Sequence, residues 1–138
     1  MLGRLLLAIG ALSAAFVVAG AGSSFGAVRS GDVCRELPAQ FRSLCTGPGV
    51  TCTTLSDAHS RWEAVLATEP TMAHAEKMAQ AATAAGFGAM HIEKDVQCSN
   101  GYGVYEVAQA RFHSQADAAA VVAQAKARGF RFARTEDS

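Results

Sequence analysis

Residues 62–93, WEAVLATEPTMAHAEKMAQAATAAGFGAMHIE, and residues 105–136, YEVAQARFHSQADAAAVVAQAKARGFRFARTE, decide the fold, because they align without a gap at an offset of forty-three. Trp62-Glu63 falls on Tyr105-Glu106, Ala75 on Ala118, Ala82 on Ala125, Gly86-Phe87 on Gly129-Phe130 and Glu93 on Glu136. Alanine matches are cheap in so alanine-rich a chain. The weight rests on the aromatic-Glu start, the shared Gly-Phe and the common register. A period this long suits a solenoid, but two copies are too few to bury a stacked core, so one duplicated domain is expected.

Each copy has the same internal order. A strand-like run comes first, Trp62 to Ala67 or Val104 to Ala110. A helix start follows: Ser114 and Asp117 have capping-box spacing, and Thr71 can cap the other helix. Ala75, Met78, Ala79 and Ala82, and equally Ala118, Val121, Val122 and Ala125, recur at i, i+3, i+4 and i+7. Each set makes one apolar stripe. Glycine then ends each helix and the following Phe packs back on the last turn. Final strands are predicted over Ala89 to Val96 and Arg131 to Thr135, with Ser99-Asn100-Gly101 turning between the copies. The expected fold is therefore α+β: a duplicated β-α-β-β-α-β, in which a four-stranded antiparallel sheet carries both helices on one face, the ferredoxin-like layout. Met78, Val121, Val122, Leu66, Ile92 and Val107 are the predicted filling between helices and sheet.

Outside this unit, residues 28–60 hold three cysteines, Pro38 and the turn Gly47-Pro48-Gly49. The segment has too little apolar surface to fold alone and reads as a braced extension of the domain at 61–138, with a short helix over Pro38 to Leu44. Residues 1–27 read as a signal peptide. Arg4 precedes an apolar run from Leu5 to Ala19, and Ala19-Gly20-Ala21 offers a cleavage site, with a second after Gly26. The alternative is an uncleaved anchor, the only route by which this chain would meet a membrane. The product is expected to be secreted or held in the cell envelope. In that compartment the even set Cys34, Cys45, Cys52 and Cys98 reads as two disulfides. Cys34–Cys45 with Cys52–Cys98 is the favoured pairing, and Cys34–Cys52 with Cys45–Cys98 the runner-up. No C-x-x-C pair supports zinc or redox chemistry.

Twelve basic and twelve acidic residues balance, and no Lys/Arg block exists. Attraction to phosphate backbones is then weak, and nucleic acid is set aside. No G-x-S-x-G setting, Gly-rich phosphate loop or buried carboxylate pair is legible, so no catalysis and no cofactor are expected.

Tyr105-Glu106-Val107-Ala108-Gln109-Ala110-Arg111-Phe112, followed by Ser114, Ala116, Ala118 and Gly129-Phe130, resembles the second repeat of SPOR (sporulation-related repeat) domains. The resemblance covers residues 61 to 136. It implies a non-catalytic module that binds the glycan strands of bacterial peptidoglycan on the free side of its sheet. Several positions depart from the family pattern. The strand glycine is Ala110 here and Ala67 in the first copy, the Phe after the first strand is Glu69, and the polar open-face position is Val65 and Ala108. Gln109 stands where the family is usually apolar. The resemblance thus carries the fold further than it carries the glycan site.

Strand alternation names the residues a ligand would meet. Trp62, Ala64, Leu66, Met90, Ile92, Tyr105 and Val107 are predicted to face the helices. Glu63, Val65, Ala67, His91, Glu93, Asp95, Glu106, Ala108 and Ala110 are predicted to face away. Phe132 and Arg134 share a phase. The candidate ligand-binding set is Glu63, His91, Glu93, Glu106, Phe132 and Arg134, hydrogen-bonding groups beside one aromatic plate, as a sugar requires. His91, Glu93 and Asp95 on one side of a strand suit a metal geometrically, but surface alternation accounts for them and no metal is expected. The competing reading is a secreted protein-interaction or inhibitor module whose partner is an envelope or extracellular protein. A free face covered by the extension would favour it.

Overall fold

The computed structural model describes residues 27–28, 34–55 and 61–137. The expected leader, save its last residue, lies outside them. In chain order the elements are β1 (Ala27–Val28), a 3-10 turn (Cys34–Glu36), α1 (Ala39–Cys45), β2 (Cys52–Thr54), β3 (Trp62–Glu69), α2 (Met72–Ala84), β4 (His91–Cys98), β5 (Gly103–Phe112), α3 (Gln115–Ala127) and β6 (Arg134–Asp137). All strand pairs are antiparallel and the sheet order is β1-β2-β4-β5-β3-β6. The chain is α+β, as expected.

The sheet is wider than the four strands expected. Cys52–Thr54 of the extension pairs with Val96–Cys98, and Ala27–Val28 pairs beyond it. The sequence had hidden this strand, because three residues among cysteines and threonines give no alternation to read. Further bonds tie the extension to the β4–β5 turn. Leu55 N donates to Asp95 O at 2.6 Å, Ser99 N to Thr51 O at 2.8 Å, and Asn100 Nδ2 to Leu44 O at 2.6 Å. The favoured disulfides are both present, Cys34–Cys45 and Cys52–Cys98. The second joins paired residues of β2 and β4.

Local chemistry sets the two long helices alike. Each spans thirteen residues and starts at an extended cap, Thr71 or Ser114, whose hydroxyl accepts the amide three residues on at 3.2 Å. Each ends at a glycine of positive φ, Gly86 at 92° and Gly129 at 100°. Phe87 N then donates to Ala82 O and Phe130 N to Ala125 O, the six-to-one bond of a Schellman close. The two rings meet edge to face at 5.8 Å. Both helices lie on one face of the sheet: Ala82 of α2 and Val122 and Ala125 of α3 share a buried cluster with Ala64 and Leu66. Ala75 packs on Tyr105 and Val107. With alanine at the contacts, the helices sit close to the sheet. Of the predicted filling, Leu66, Val107 and Val122 are buried, and Met78, Val121 and Ile92 pack half-buried around them.

Three bulges shift the faces. Val65 pairs with Ala108 but Ala67 with Val107, so β3 carries an extra residue near Leu66. Ala67, expected to face away, is turned under the helices, and Thr68 takes the other side opposite Glu106. Asp95 is the extra residue of β4 between Lys94 and Val96. In β5 the bulge falls opposite Trp62–Ala64, where Arg111 adopts φ 77°, a left-handed conformation that strains a side-chain-bearing residue. The last strand also starts later than predicted. Gly129 N, Arg131 N and Ala133 N bond back within the turn, and Ala133 is buried under the helices before Arg134 enters the sheet.

Candidate functional site

Strands β4, β5, β3 and β6 present their second face away from α2 and α3. Cross-strand register places His91 beside Ala108, Ala108 beside Val65, and Val65 beside Arg134. Glu93 lies opposite Glu106, and Glu106 opposite Thr68. Five of the six candidate residues therefore converge on one face: Glu63, His91, Glu93, Glu106 and Arg134. Phe132 does not join them. It sits in the turn before β6, 54% exposed, because the strand starts two residues after it.

That face is not a bare trough. Val65, Thr68 and Ala108 are fully buried, and Glu63 and Glu106 nearly so. At the β2 end, Val96 and Val104 pack under Cys34, Leu37, Cys45, Cys52 and Cys98, with Phe41, Val50 and Tyr102 around them. The Cys-rich extension thus caps that end of the face. Glu63 and Glu106, expected to meet ligand, are turned into the protein instead. Their side chains are 8% and 4% exposed, against 39% for His91 and about a third for Glu93 and Arg134.

Two charge clusters result. In one, Arg134 is the hub. Its Nη1 donates to Thr68 Oγ1 at 2.7 Å, and its Nη2 donates to Glu106 and, at 3.0 Å, to Glu136, with Glu36 at 3.7 Å. Asp95 hydrogen-bonds Glu106 from β4. One guanidinium thus faces four carboxyls, and the low-dielectric setting favours keeping a proton. Burial pushes Glu106 up to about 9 against the opposing pull of Arg134, with Asp95 and Glu136 adding to the rise. Burial likewise takes Asp95 up to about 6. Reading the sequence for a buried carboxylate pair had found none. The partner of Asp95 proved to be on the adjacent strand, and its burial comes from tertiary cover. Thr68, Glu36 and Glu136 were also missed. Thr68 reaches this face only through the β3 bulge, and Glu36 only through the disulfide cap.

In the second cluster, His91 Nε2 lies 3.7 Å from Glu63 Oε1 and 3.8 Å from Glu93 Oε2. Glu63 reaches His91 across β5, over the small Ala108 side chain.

Phe132 belongs to a different feature. A cleft of about 220 Å³ opens between Pro38, Gln40 and Phe41 on one side and Gly129–Phe132 on the other. Its floor is Leu66–Glu69 with Met78. The β3–β6 ladder ends at Val65 and Arg134, so the floor is the part of β3 beyond its β6 partner. Burial raises Glu69 at the rim. Among the described residues no helix is long and apolar enough to cross a membrane. The two disulfides fit an oxidising, extracytoplasmic setting. No family model, no curated protein and no solved structure matches this chain.

Proposed function

We propose that this chain is an exported, non-catalytic binding module that recognises a protein partner at the cleft between Phe41 and Phe132. The observation that carries this reading is the closure of the second sheet face. Sugar recognition needs free donors and acceptors around an accessible plate. Here the floor is buried, one end is capped, and Arg134 already engages Thr68, Glu106 and Glu136. The cleft instead pairs an exposed aromatic ring with an apolar wall, the type of anchor that dominates protein interfaces. Secretion or attachment in the cell envelope accords with the disulfides and with the apolar leader of the sequence.

A second reading keeps the resemblance to SPOR domains and places a glycan on the accessible rim, at His91, Glu93 and Arg134. It is favoured by the strand order β4-β5-β3-β6, which is that of the split βαβ layout. Descent by duplication is supported by the matched caps and glycine closes of the two helices, which recur at the offset of the sequence alignment. One experiment separates the readings. Oxidised wild type, Phe132→Ser and Glu93→Gln are compared for co-sedimentation with purified sacculi and for cross-linking to extracytoplasmic proteins. A cross-linked partner lost only in Phe132→Ser supports the cleft. Sacculus binding that survives Phe132→Ser and fails in Glu93→Gln overturns it in favour of the glycan.

A further inference from the structure

The two disulfides lie against each other. The sulfurs of Cys34, Cys45 and Cys98 are all within 4.8 Å of one another, so the bridge Cys34–Cys45 has a sulfur of the bridge Cys52–Cys98 beside it. Cys34 Sγ and Cys52 Sγ both sit near the Cys45 carbonyl oxygen, at 3.7 and 3.6 Å. The spacing of the cysteines in the sequence carries no sign of this, because the sulfurs meet only once β2 pairs with β4 and the extension caps that end of the sheet. A thiolate freed from one bridge thus stands next to a sulfur of the other. Thiol–disulfide exchange needs that approach, and it passes through a mixed bridge.

Two further features give the exchange an entry and an output. Cys98 borders an open concavity of about 390 Å³, with Thr51, Thr53, Gln97, Ser99 and Gly101 around it, which brings a small thiol to the second bridge. The first bridge, Cys34–Cys45, closes a span of 11 residues that carries one wall of the cleft, Pro38, Gln40 and Phe41. Within that span α1 has seven residues and no side-chain cap at Pro38. A helix holds by itself only from about 12–15 residues, so the wall depends on the bridge. We propose that the two bridges form a redox relay that controls the Phe41 wall of the cleft, taking electrons from a dithiol reductant at Cys98. One thiolate of the dithiol attacks Cys98 Sγ, and Cys52 leaves as a thiolate. The second thiol of the reductant attacks the reductant's own sulfur in the mixed disulfide, which yields the cyclic oxidised reductant and a Cys98 thiolate. Cys98 then attacks one sulfur of Cys34–Cys45, and the other leaves. Two electrons and two protons have passed from the dithiol to the protein, which now holds two thiols and one bridge from Cys98 to the extension. One end of the span 34–45 is left untied, and the wall loosens. Control of partner binding rests on the cleft reading; the exchange does not.

The test treats the full oxidised chain with one equivalent of dithiothreitol at about pH 8, where thiolates form. Acid quenching, alkylation and peptide mapping by mass spectrometry locate the bridges. NMR follows the His74 imidazole, whose ring lies 6.2 Å from that of Phe41. The expected singly reduced protein has Cys52 alkylated and Cys98 bridged to Cys34 or Cys45, with the His74 signals shifted. Cys52→Ser should reach the same bridge with no reductant, because it leaves Cys98 as a permanent thiol. Singly reduced wild type that keeps Cys34–Cys45, with Cys52 and Cys98 both alkylated, overturns the relay. So does a Cys98 thiol that stays free in Cys52→Ser. Unmoved His74 signals beside an exchanged bridge overturn the control of the wall. The cleft reading itself fails by a different result, partner cross-linking that Phe132→Ser does not weaken.

Discussion

Replacing Glu106 by glutamine should remove a pH dependence of stability that the wild-type protein carries. In the folded chain Glu106 and Asp95 share a hydrogen bond beside Glu136 and Glu36, with Arg134 in direct contact as their cation. Burial holds Glu106 up to about 9 and Asp95 up to about 6, so the folded pair keeps at least one proton between pH 6 and pH 8. The unfolded chain has lost it there, since an unperturbed carboxyl titrates near pH 4. A folded pKa above the unfolded one means that the contribution is intact at low pH and fades as pH rises toward the folded value. One retained proton gives a slope of about −1.4 kcal/mol per pH unit. Between pH 6 and pH 8 the wild type should therefore lose about 3 kcal/mol of stability through this pair, less whatever solvent screening at the partly exposed Asp95 takes away. Glutamine keeps the shape, still offers Arg134 an oxygen, and can donate to Asp95 without a titrating proton. The assay is urea denaturation of both oxidised proteins at pH 6, 7 and 8, read by fluorescence of Trp62. The difference between the two curves isolates the pair. A wild-type stability that tracks the variant at all three pH values would refute the reasoning.

Loss of either disulfide should cost about 2–5 kcal/mol. Loop closure makes Cys52–Cys98, spanning 46 residues, worth about 1 kcal/mol more than Cys34–Cys45, spanning 11. Paired serine variants melted side by side check the order. Gly103→Ala should abolish the oxidised fold or cost at least about 3 kcal/mol, because a Cβ there would run into the Val96 carbonyl across the β4–β5 ladder. Circular dichroism and denaturation decide it, and a wild-type curve would contradict the packing. Phe130→Ala should destabilise by about 3–5 kcal/mol by emptying the edge-to-face contact with Phe87. Phe132→Ala, at an exposed ring, should change stability by less than about 0.5 kcal/mol. Parallel urea titrations of the two variants measure the contrast.

The parts of this molecule that were readable from the chain are those set by neighbours in sequence. Thr71 and Ser114 cap because their hydroxyls reach an amide three residues on, and Gly86 and Gly129 close the helices because no side chain obstructs a positive φ. The inward set Ala64, Leu66, Tyr105 and Val107 followed from alternation over unbroken stretches. Alternation failed at the bulges. One extra residue near Leu66 reversed Ala67 and brought Thr68 to the other face, and no composition signal marks it. Phe132 was assigned a strand phase that it does not have, because a turn that bonds to itself delays β6 to Arg134.

The burial of the carboxylates was unreadable for a different reason, and it changes what the face can do. Glu63 and Glu106 sit at equivalent places in the two aligned stretches, each following an aromatic residue, and alternation points both away from the helices. On an open sheet they would be two ordinary solvated acids. Under cover they are forced to find partners, and the register gives them different ones. Glu106 lies opposite Thr68 and within reach of Arg134, so it is held by a guanidinium and a shared proton. Glu63 pairs with Glu136 along β6 and reaches His91 across β5. The same residue in the same sequence context thus becomes part of an arginine-centred ionic network in one place and the neighbour of a half-exposed histidine in the other. The difference comes from what lies two strands away, which no reading of either stretch alone contains.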